Sequence, residues 1–423
     1  MNKTTNSYLI EDYYASPAQL YYLKFFWTGF IIYTLSFVIK GNAHVSLKVG
    51  ELFQFVGLLL LLPTFIVLIR LKIKNFYLRF TFIIYIIWAL WVIARGMQFN
   101  YPYIKNLLIN ADNGGLLYFA PLIILLPQDS TFFKKLFDAI IILGIFYLIY
   151  DVLFIRALLD RSFETQNVVE YLVRNLSMPC GFILLTYKYH SNKRNFFAFA
   201  VMMLSILFAI YKARRGLSST LILTVIFAYF LYLFSTKKKV LIIYLSILFI
   251  SLGALYSTNI YNINNNKLLN FISQRGEVDT RTVVEDYFYD DLKKKDWIIG
   301  KGINGEYFCP DIEEDQSTDY RDYIETGYLQ IILKGGLVRL VLFLIISFPA
   351  AILGLFFSKN ILSKASAIWI IVSIISLYPA TVESFNLQYL IVWISIVICY
   401  SKSLRIKSDH EIEEFLIGET ILT

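Results

Sequence analysis

Long apolar runs alternate with short polar connections along almost the whole chain. A bilayer core needs about 20 mostly apolar residues per helix, and on that measure the pattern predicts about twelve spans. The predicted spans cover residues 24–40, 52–69, 80–94, 115–127, 139–158, 168–187, 196–211, 216–235, 240–257, 328–357, 365–380 and 386–400. The pattern therefore predicts an all-α polytopic membrane protein.

Two of these runs have unusual lengths. The fourth is too short to cross a bilayer alone, so it either recruits residues before Asp112 or breaks at Gly114 and Gly115. The tenth is too long, and we expect it to bend at Gly335-Gly336 and at Pro349.

One long hydrophilic segment, residues 258–327, interrupts the apolar pattern between the ninth and tenth spans. It cannot cross lipid, because its backbone groups would lack hydrogen-bond partners there. Long loops of this kind commonly hold functional residues. The chain thus divides into a first bundle (1–257), this loop, a second bundle (328–400) and a tail (401–423) with a helix expected near Glu411–Ile417.

The charge distribution predicts the orientation of the spans. The loop carries eight Lys/Arg and fifteen Asp/Glu, a net charge of −7, whereas the whole chain has a net charge of +8. Most of the remaining basic residues fall in short connections on one side of the predicted membrane, which is the positive-inside pattern. Both termini are therefore expected in the cytoplasm, and the loop is expected on the periplasmic or extracellular side. No cleavable signal precedes the first span, which is expected to act as its own anchor.

Composition excludes several classes of function. The basic pI of about 9.0 comes from the short connections, and the sequence contains no nucleic-acid-binding motif. The three cysteines fall in different segments without metal-ligand spacing, so neither a disulfide framework nor a zinc site is expected.

Several cations break the positive-inside rule. They lie at or near the predicted outer ends of spans: Arg95, Arg174, Lys212, Arg214, Arg215 and Arg339. A charge at membrane depth costs about 2.5 kcal/mol or more on insertion scales, so a charged side chain there normally has an interaction partner or a function. Snorkelling to the headgroups explains any single one. Together they predict a pyrophosphate site, because the guanidinium fork matches phosphate oxygens in bidentate geometry.

Three motifs around the loop carry a family resemblance. They are Arg214-Arg215-Gly216 at the start of a mid-chain span, Arg281 followed by Gly300-Lys301-Gly302, and Glu325-Thr326-Gly327-Tyr328-Leu329 leading to Gly336. In this order, over about residues 212–340, the chain resembles the O-antigen polymerase and O-antigen ligase family of bacterial membrane glycosyltransferases. The rest of the chain agrees with that family in hydropathy only.

The resemblance implies a C-type glycosyltransferase of the cytoplasmic (inner) membrane that needs neither a metal nor a cofactor. Its implied partners are undecaprenyl-pyrophosphate-linked oligosaccharides, the lipid bilayer, and a chain-length regulator and flippase of the same pathway. Ligases of the family carry a His at the position of Glu325 and often an Asn at that of Thr326. The departure favours a polysaccharide polymerase of the O-antigen or capsule type. A ligase, or a transporter of lipid-linked oligosaccharide, is the alternative; a transporter is expected to have related halves, which the sequence lacks.

Joining two glycans needs a base near the acceptor hydroxyl and a stabiliser for the departing pyrophosphate. We expect Arg215 and Arg281 to stabilise the pyrophosphate and Glu325, where the loop returns to the membrane, to be the base. A surface ion pair with Asp279 or Glu285 is the plainer explanation of Arg281. The plainer explanation of Glu325 is that its negative charge is favourable at the start of a helix. If Glu325 is instead the base, partial desolvation at that position would make it a better one.

A second set of residues is expected to contact substrate or to support that site: Arg95, Arg174, Arg214, Asp279, Gly300, Gly302, Tyr328, Arg339 and Glu383. Gly300 and Gly302 are expected to allow a tight turn with close backbone approach. Glu383, at the outer end of a span, is expected to pair with one of the arginines.

Overall fold

The structure is a computed structural model that describes residues 17–40, 47–160, 163–236, 280–310, 319–378, 380 and 383–417. The predicted ninth span (240–257) and Asp279 lie outside these residues, and Arg281 is described in its backbone only. The helices in chain order are Pro17–Lys40, Leu47–Leu68, Phe76–Arg95, Tyr101–Ile109, Gly115–Phe119, Ser130–Leu153, Ile155–Leu159, Phe163–Leu172, Cys180–Leu185, Asn192–Tyr211, Arg215–Ser235, Thr280–Asp291, Lys294–Ile299, Gly327–Phe356, Ile361–Ser376, Leu387–Tyr400, Lys402–Ile406 and Asp409–Ile417.

Shorter elements complete the described chain. They are two 3-10 segments (Ala120–Leu125 and Tyr187–Tyr189), a π-helical turn (Val173–Ser177) and two antiparallel strands (Tyr307–Phe308 and Tyr320–Arg321). The strands belong to the polar loop, so the predicted all-α class holds for the membrane part of the molecule.

Eight of the described helices are long and apolar enough to cross a membrane. Three shorter apolar helices, Gly115–Leu125, Ile361–Ser376 and Leu387–Tyr400, occupy other predicted spans. Every predicted span within the described ranges coincides with one of these helices, and large apolar side chains such as Phe80 and Ile87 point outward, where lipid would cover them. The prediction of a polytopic helical membrane protein is confirmed, while the total of twelve spans stays a prediction.

The centre of the bundle lies where three spans meet around Trp393. Its indole is fully buried and packs 5.1 Å from the Tyr85 ring and 6.0 Å from the Phe343 ring, measured between centroids. These aromatic side chains come from Phe76–Arg95, Gly327–Phe356 and Leu387–Tyr400. Tyr85 and Tyr389 of these helices also contact Arg339 and Glu383, which line the polar cleft described below, so the aromatic core supports one side of that cleft.

The tenth predicted span, Gly327–Phe356, is broken at Gly336, as the sequence indicates. Gly336 has φ 71° and ψ 178°, a conformation that favours glycine and that interrupts the helical hydrogen bonds. The break leaves the carbonyls of Leu333 and Lys334 without their usual partners. In a membrane protein these carbonyls need donors from elsewhere in the chain.

The Gly-x-Gly segment of the loop supplies those donors. The Lys301 amide donates to the Leu333 carbonyl at 2.7 Å, and the Gly302 amide donates to the Lys334 carbonyl at 2.9 Å. Gly300 (φ 72°) and Gly302 (φ 91°) both have the left-handed backbone that the tight turn requires. The expected close backbone approach is confirmed, and its partner is the broken span.

The loop has a small core of its own. Phe288 and Tyr307 are fully buried with ring centroids 5.4 Å apart, and they pack with Leu329 and Leu333 from the first half of the broken span. The described part of the loop is therefore fixed to the membrane bundle through side chains as well as through the Gly-x-Gly backbone.

The tail folds back onto the bundle. Asp409, at the start of the predicted tail helix, accepts hydrogen bonds from the Ile361 amide at 2.6 Å and from the Tyr189 hydroxyl at 2.7 Å, and it pairs with Lys188 at 2.7 Å. Because Asp409 supplies an acceptor at the first turn of Ile361–Ser376, the tail stabilises that helix.

Candidate active site beside the broken span

A small polar cleft lies next to the break in Gly327–Phe356. Its lining consists of Asp112, Asn113, Leu117, Tyr118, Tyr323, Gln330, Lys334, Arg339 and Glu383. The cleft therefore joins the start of the fourth span and the connection before it, the end of the loop, both halves of the broken span and the connection before Leu387–Tyr400.

The Asp112 turn forms one wall because of local side-chain chemistry. The Asn110 side-chain oxygen accepts hydrogen bonds from the amides of Asp112 and Asn113 at 2.9 and 3.0 Å. Such turns are typical of asparagine. A Cβ on Gly114 would lie 2.0 Å from the Asn110 carbonyl oxygen, so the turn also requires glycine at that position. The break expected before Gly115 is this turn.

Arg339 and Glu383 form a buried ion pair at the cleft. The Arg339 Nη2 lies 2.8 Å from the Glu383 Oε2, and the two side chains are 2% and 5% exposed. The guanidinium also lies 4.5 Å from the centroid of the Tyr118 ring, and the Tyr389 hydroxyl donates to the other Glu383 oxygen at 3.1 Å. The expected pairing of Glu383 with an arginine is present. Each charge has an ion-pair partner, although the Arg339 Nε is buried without a hydrogen-bond partner, and the pair stabilises this wall of the cleft.

Two other predicted arginines share one carboxylate. The Arg174 Nη2 lies 2.6 Å from one oxygen of Glu170, and the Arg214 Nη1 lies 3.4 Å from the other. All three side chains are largely buried, between 18% and 25% exposed. Two guanidinium groups thus meet at one carboxylate at the predicted outer end of the bundle, and the Asp112 carboxyl lies close enough to act on Arg174.

Asp112 connects this group to the cleft. The charges of Arg174 and Glu170 both act on its carboxyl, and Ser384 hydrogen-bonds to it. Desolvation raises the pKa of the Asp112 carboxyl, an effect that Ser384 and Arg174 only partly offset. Neither Asp112 nor Glu170 was among the residues predicted from the sequence. The signals available were the i, i+4 spacing of Glu170 and Arg174 and the acid within the Asn-rich turn.

Arg215 and Lys212 differ in their exposure. Arg215 begins the Arg215–Ser235 helix next to Arg214, and its side chain is exposed. Lys212 is buried, and its Nζ donates to the Asp160 carbonyl. The structure therefore leaves Arg215 at the surface beside the Arg174–Arg214 group, while Lys212 stabilises a neighbouring connection.

Arg95 lies in the contact between loop and bundle. Its guanidinium donates to the carbonyls of Gly300 at 2.8 Å and Ile299 at 2.5 Å, which end the Lys294–Ile299 helix. Cations at helix ends commonly satisfy the last carbonyls in this way. Arg95, Gly300 and Gly302 thus hold the loop on the broken span and do not line the cleft.

Glu325 and Tyr328 lie at the junction of loop and membrane. Glu325 is exposed, so the desolvation expected for it is not present in the structure. The next residue, Thr326, is buried, and its hydroxyl donates to Glu285 of the loop helix Thr280–Asp291. Tyr328 stacks on Tyr378 with ring centroids 6.5 Å apart.

The Arg281 backbone lies in the first turn of Thr280–Asp291, one turn before Glu285. The loop helix therefore brings the Arg281 position to the same junction as Glu325.

The predicted residues thus fall into three groups. Arg339 and Glu383 line the cleft, with Arg174 and Arg214 beside it. Glu325, Tyr328 and the Arg281 backbone lie at the junction of loop and membrane, called the rim from here on, and Arg95 belongs to the contact with the Gly-x-Gly segment. Among the described residues, no cluster of three or more His, Cys, Asp or Glu has an arrangement suited to a metal ion.

Comparisons of the chain with family models, with curated proteins and with solved structures find no match. The resemblance carried by the three motifs therefore stays a prediction.

Proposed function

We propose that this protein is a membrane glycosyltransferase, a polysaccharide polymerase that joins undecaprenyl-pyrophosphate-linked repeat units at the outer leaflet. One observation carries the proposal: Arg174 and Arg214 converge on Glu170 beside a polar cleft, with the exposed Arg215 next to them. Two guanidinium groups held close together suit an anionic ligand. A pyrophosphate offers the bidentate oxygens that guanidinium groups bind well.

The reaction requires few groups. The acceptor hydroxyl oxygen attacks the anomeric carbon of the donor sugar, and the bond from that carbon to the pyrophosphate oxygen breaks. The pyrophosphate leaves with the electron pair, and the arginines stabilise its charge. The hydroxyl proton passes to a carboxylate, for which we assign Glu325 at the rim, with Asp112 in the cleft as the second choice.

The proposal includes an orientation and a set of partners. Twelve spans with both termini in the cytoplasm put the loop, its rim residues and the Arg174–Arg214 group on the outer side of the cytoplasmic membrane. Lipid-linked repeat units would reach that side through a flippase, and a chain-length regulator would act on the product. Arg281 and Asp279 belong to the loop that would cover the bound substrate.

The decisive test is polymer formation from purified lipid-linked repeats by the full-length protein in lipid nanodiscs. We expect Arg174→Ala/Arg214→Ala to abolish the polymer ladder, because the pyrophosphate would lose both guanidinium partners. Arg194→Ala is the matched control: Arg194 also pairs with a carboxylate, Asp138 at 2.7 Å, but at the start of the Asn192–Tyr211 helix, opposite to the end that Arg214 follows. A normal ladder from the double variant would overturn the proposal.

A deletion strain distinguishes the polymerase from its nearest alternative. Loss of a polymerase leaves single repeat units on the lipid carrier, whereas loss of a ligase leaves long chains on the carrier. If neither single repeat units nor long chains accumulate on the carrier, the result contradicts both activities.

A further inference from the structure

A second polar cluster lies inside the bundle, away from the cleft. Its members come from three membrane-spanning helices: Asp151 and Tyr147 from Ser130–Leu153, Ser177 from the π-helical turn, and Ser205 from Asn192–Tyr211. None is more than 4% exposed. Ionisable residues within spans are costly and generally have a function, so this cluster requires an explanation.

The two serines are hydrogen-bonded, whereas one Asp151 oxygen and the Tyr147 hydroxyl have no partner at full hydrogen-bonding geometry. The Ser205 hydroxyl donates to the Ser177 hydroxyl at 2.7 Å, and the Ser177 hydroxyl donates to the Val173 carbonyl at 3.2 Å. By contrast, the Asp151 Oδ2 and the Tyr147 hydroxyl are buried without a hydrogen-bond partner. The Tyr147 hydroxyl nevertheless neighbours both the Asp151 carboxyl and the Ser205 hydroxyl. The Asp151, Tyr147 and Ser205 side chains therefore interact, but one Asp151 oxygen and the Tyr147 hydroxyl have no partner at full hydrogen-bonding geometry.

Such an arrangement is unfavourable for an ionised carboxylate unless a proton or a cation binds in it. A carboxylate oxygen buried without a partner costs several kcal/mol. No Lys or Arg among the described residues pairs with Asp151. A cation coordinated by these oxygens would supply the missing charge and the missing contacts together.

The chemistry of the oxygens selects the class of cation. One carboxylate balances one positive charge, whereas a divalent ion would leave an excess charge inside the bundle. Carboxylate and hydroxyl oxygens are hard ligands that suit ions of the sodium type rather than metals that prefer nitrogen or sulfur. The neighbouring π turn, in which the Met178 amide donates to the Val173 carbonyl at 2.8 Å, is a feature found frequently at functional sites.

We propose that Asp151, Tyr147, Ser177 and Ser205 form an intramembrane binding site for a monovalent cation, with sodium as the ion. The site is distinct from the cleft and does not depend on the transferase proposal. The cation site is nevertheless close to the Arg174–Arg214 group in the chain, because Ser177 follows Arg174 by three residues in the same π turn. A cation bound there would fix the π turn that presents Arg174.

The test measures thermal unfolding of the full-length protein in nanodiscs at mildly alkaline pH. Sodium chloride is replaced stepwise by choline chloride at constant ionic strength, so only the size and chemistry of the cation change. We expect sodium to raise the midpoint by about 3 °C with saturation, because a ligand that binds only the folded state stabilises it. The Asp151→Asn variant should show no sodium-dependent rise in the unfolding midpoint. The Tyr147→Phe variant should show the rise only at a higher sodium concentration.

Asp138→Asn is the control, because Asp138 belongs to the same helix but is partly exposed and paired with Arg194. It should keep the full sodium shift. Isothermal titration of the unmodified protein with sodium tests the site independently of whether the variants fold, and it should show one saturable event. No sodium-specific shift in the unmodified protein, or an equal shift in Asp151→Asn, would overturn the proposal in favour of a proton or a water molecule on Asp151.

Discussion

The backbones of Gly300 and Gly336 touch. A Cβ on Gly300 would lie 2.5 Å from the Gly336 nitrogen, and a Cβ on Gly336 would lie 2.1 Å from the Ile298 carbonyl oxygen. Real Cβ atoms do not approach backbone atoms that closely. Both glycines are therefore structural requirements for the contact between the loop and the broken span.

Gly336→Ala tests this contact. The substitution adds a Cβ where φ is 71° and where the Ile298 carbonyl already fills the space, so we expect a loss of about 2–4 kcal/mol in the free energy of unfolding. Thermal unfolding in nanodiscs measures it. Val341→Ala, at an exposed position on the same span, should lower the free energy of unfolding by only about a few tenths of a kcal/mol. Equal stability of the two variants would contradict the contact.

Arg339→Met should be among the most destabilising single changes at the cleft. It leaves Glu383 buried, 5% exposed, with its charge unpaired, and the expected cost is about 3–5 kcal/mol. The double variant Arg339→Met/Glu383→Gln removes both charges and should recover part of that stability. Thermal unfolding of the two variants measures the recovery, and a double variant less stable than the single one would show that the pair is not the cause.

Glu325→Gln separates a catalytic role from a charge at a helix start. If Glu325 is the base, polymer formation should fall by a factor of about 100 or more, because the amide does not accept the hydroxyl proton. Stability should stay nearly unchanged, since the side chain is exposed.

Glu325→His supplies a base of a different pKa and should recover some turnover with an altered pH profile. Glu306→Gln, another exposed loop position, should retain full activity. Normal turnover in Glu325→Gln would make Asp112→Asn the next variant to measure.

Cysteine labelling tests the orientation. The three native cysteines, Cys180, Cys309 and Cys399, are buried, so they should contribute little background. A cysteine in place of Glu306 should react with a membrane-impermeant thiol reagent from outside intact cells, whereas one in place of Lys135 should react only with a permeant reagent. The reverse pattern would put the loop in the cytoplasm and with it the proposed site.

The contact between tail and bundle should depend on pH. Burial alone would raise the pKa of Asp409, but hydrogen bonds from Lys188, the Ile361 amide and Tyr189 outweigh it and hold that pKa below its usual value. The resulting stability is present above the unfolded-state pKa of about 3.9 and is lost as the pH falls through the lower folded-state pKa.

Asp409→Asn should therefore cost about 1 kcal/mol at neutral pH and little in strongly acidic solution. Unfolding midpoints measured against pH check the difference. Glu413→Gln, at an exposed position of the same helix, should show no such dependence. A constant cost of Asp409→Asn at every pH would contradict the assignment.

Much of the architecture could be predicted from the sequence because it depends on local properties. The length of an apolar run determines whether a helix crosses lipid, and glycine at 300 and 336 permits the backbone that the turn and the break require. These features need no knowledge of which helices are neighbours. For the same reason the membrane class, the bend in the long span and the tight turn agree with the structure.

The partners of the charged side chains could not be predicted in this way. Arg95, Arg174 and Arg339 look alike in sequence, as cations that break the positive-inside rule. Arg95 satisfies backbone carbonyls of the loop, Arg174 shares Glu170 with Arg214, and Arg339 pairs with Glu383, 44 residues away. Hydropathy determines which residues enter the membrane, but the packing of the helices decides which side chains meet there, because a buried charge is stable only where the fold supplies its partner.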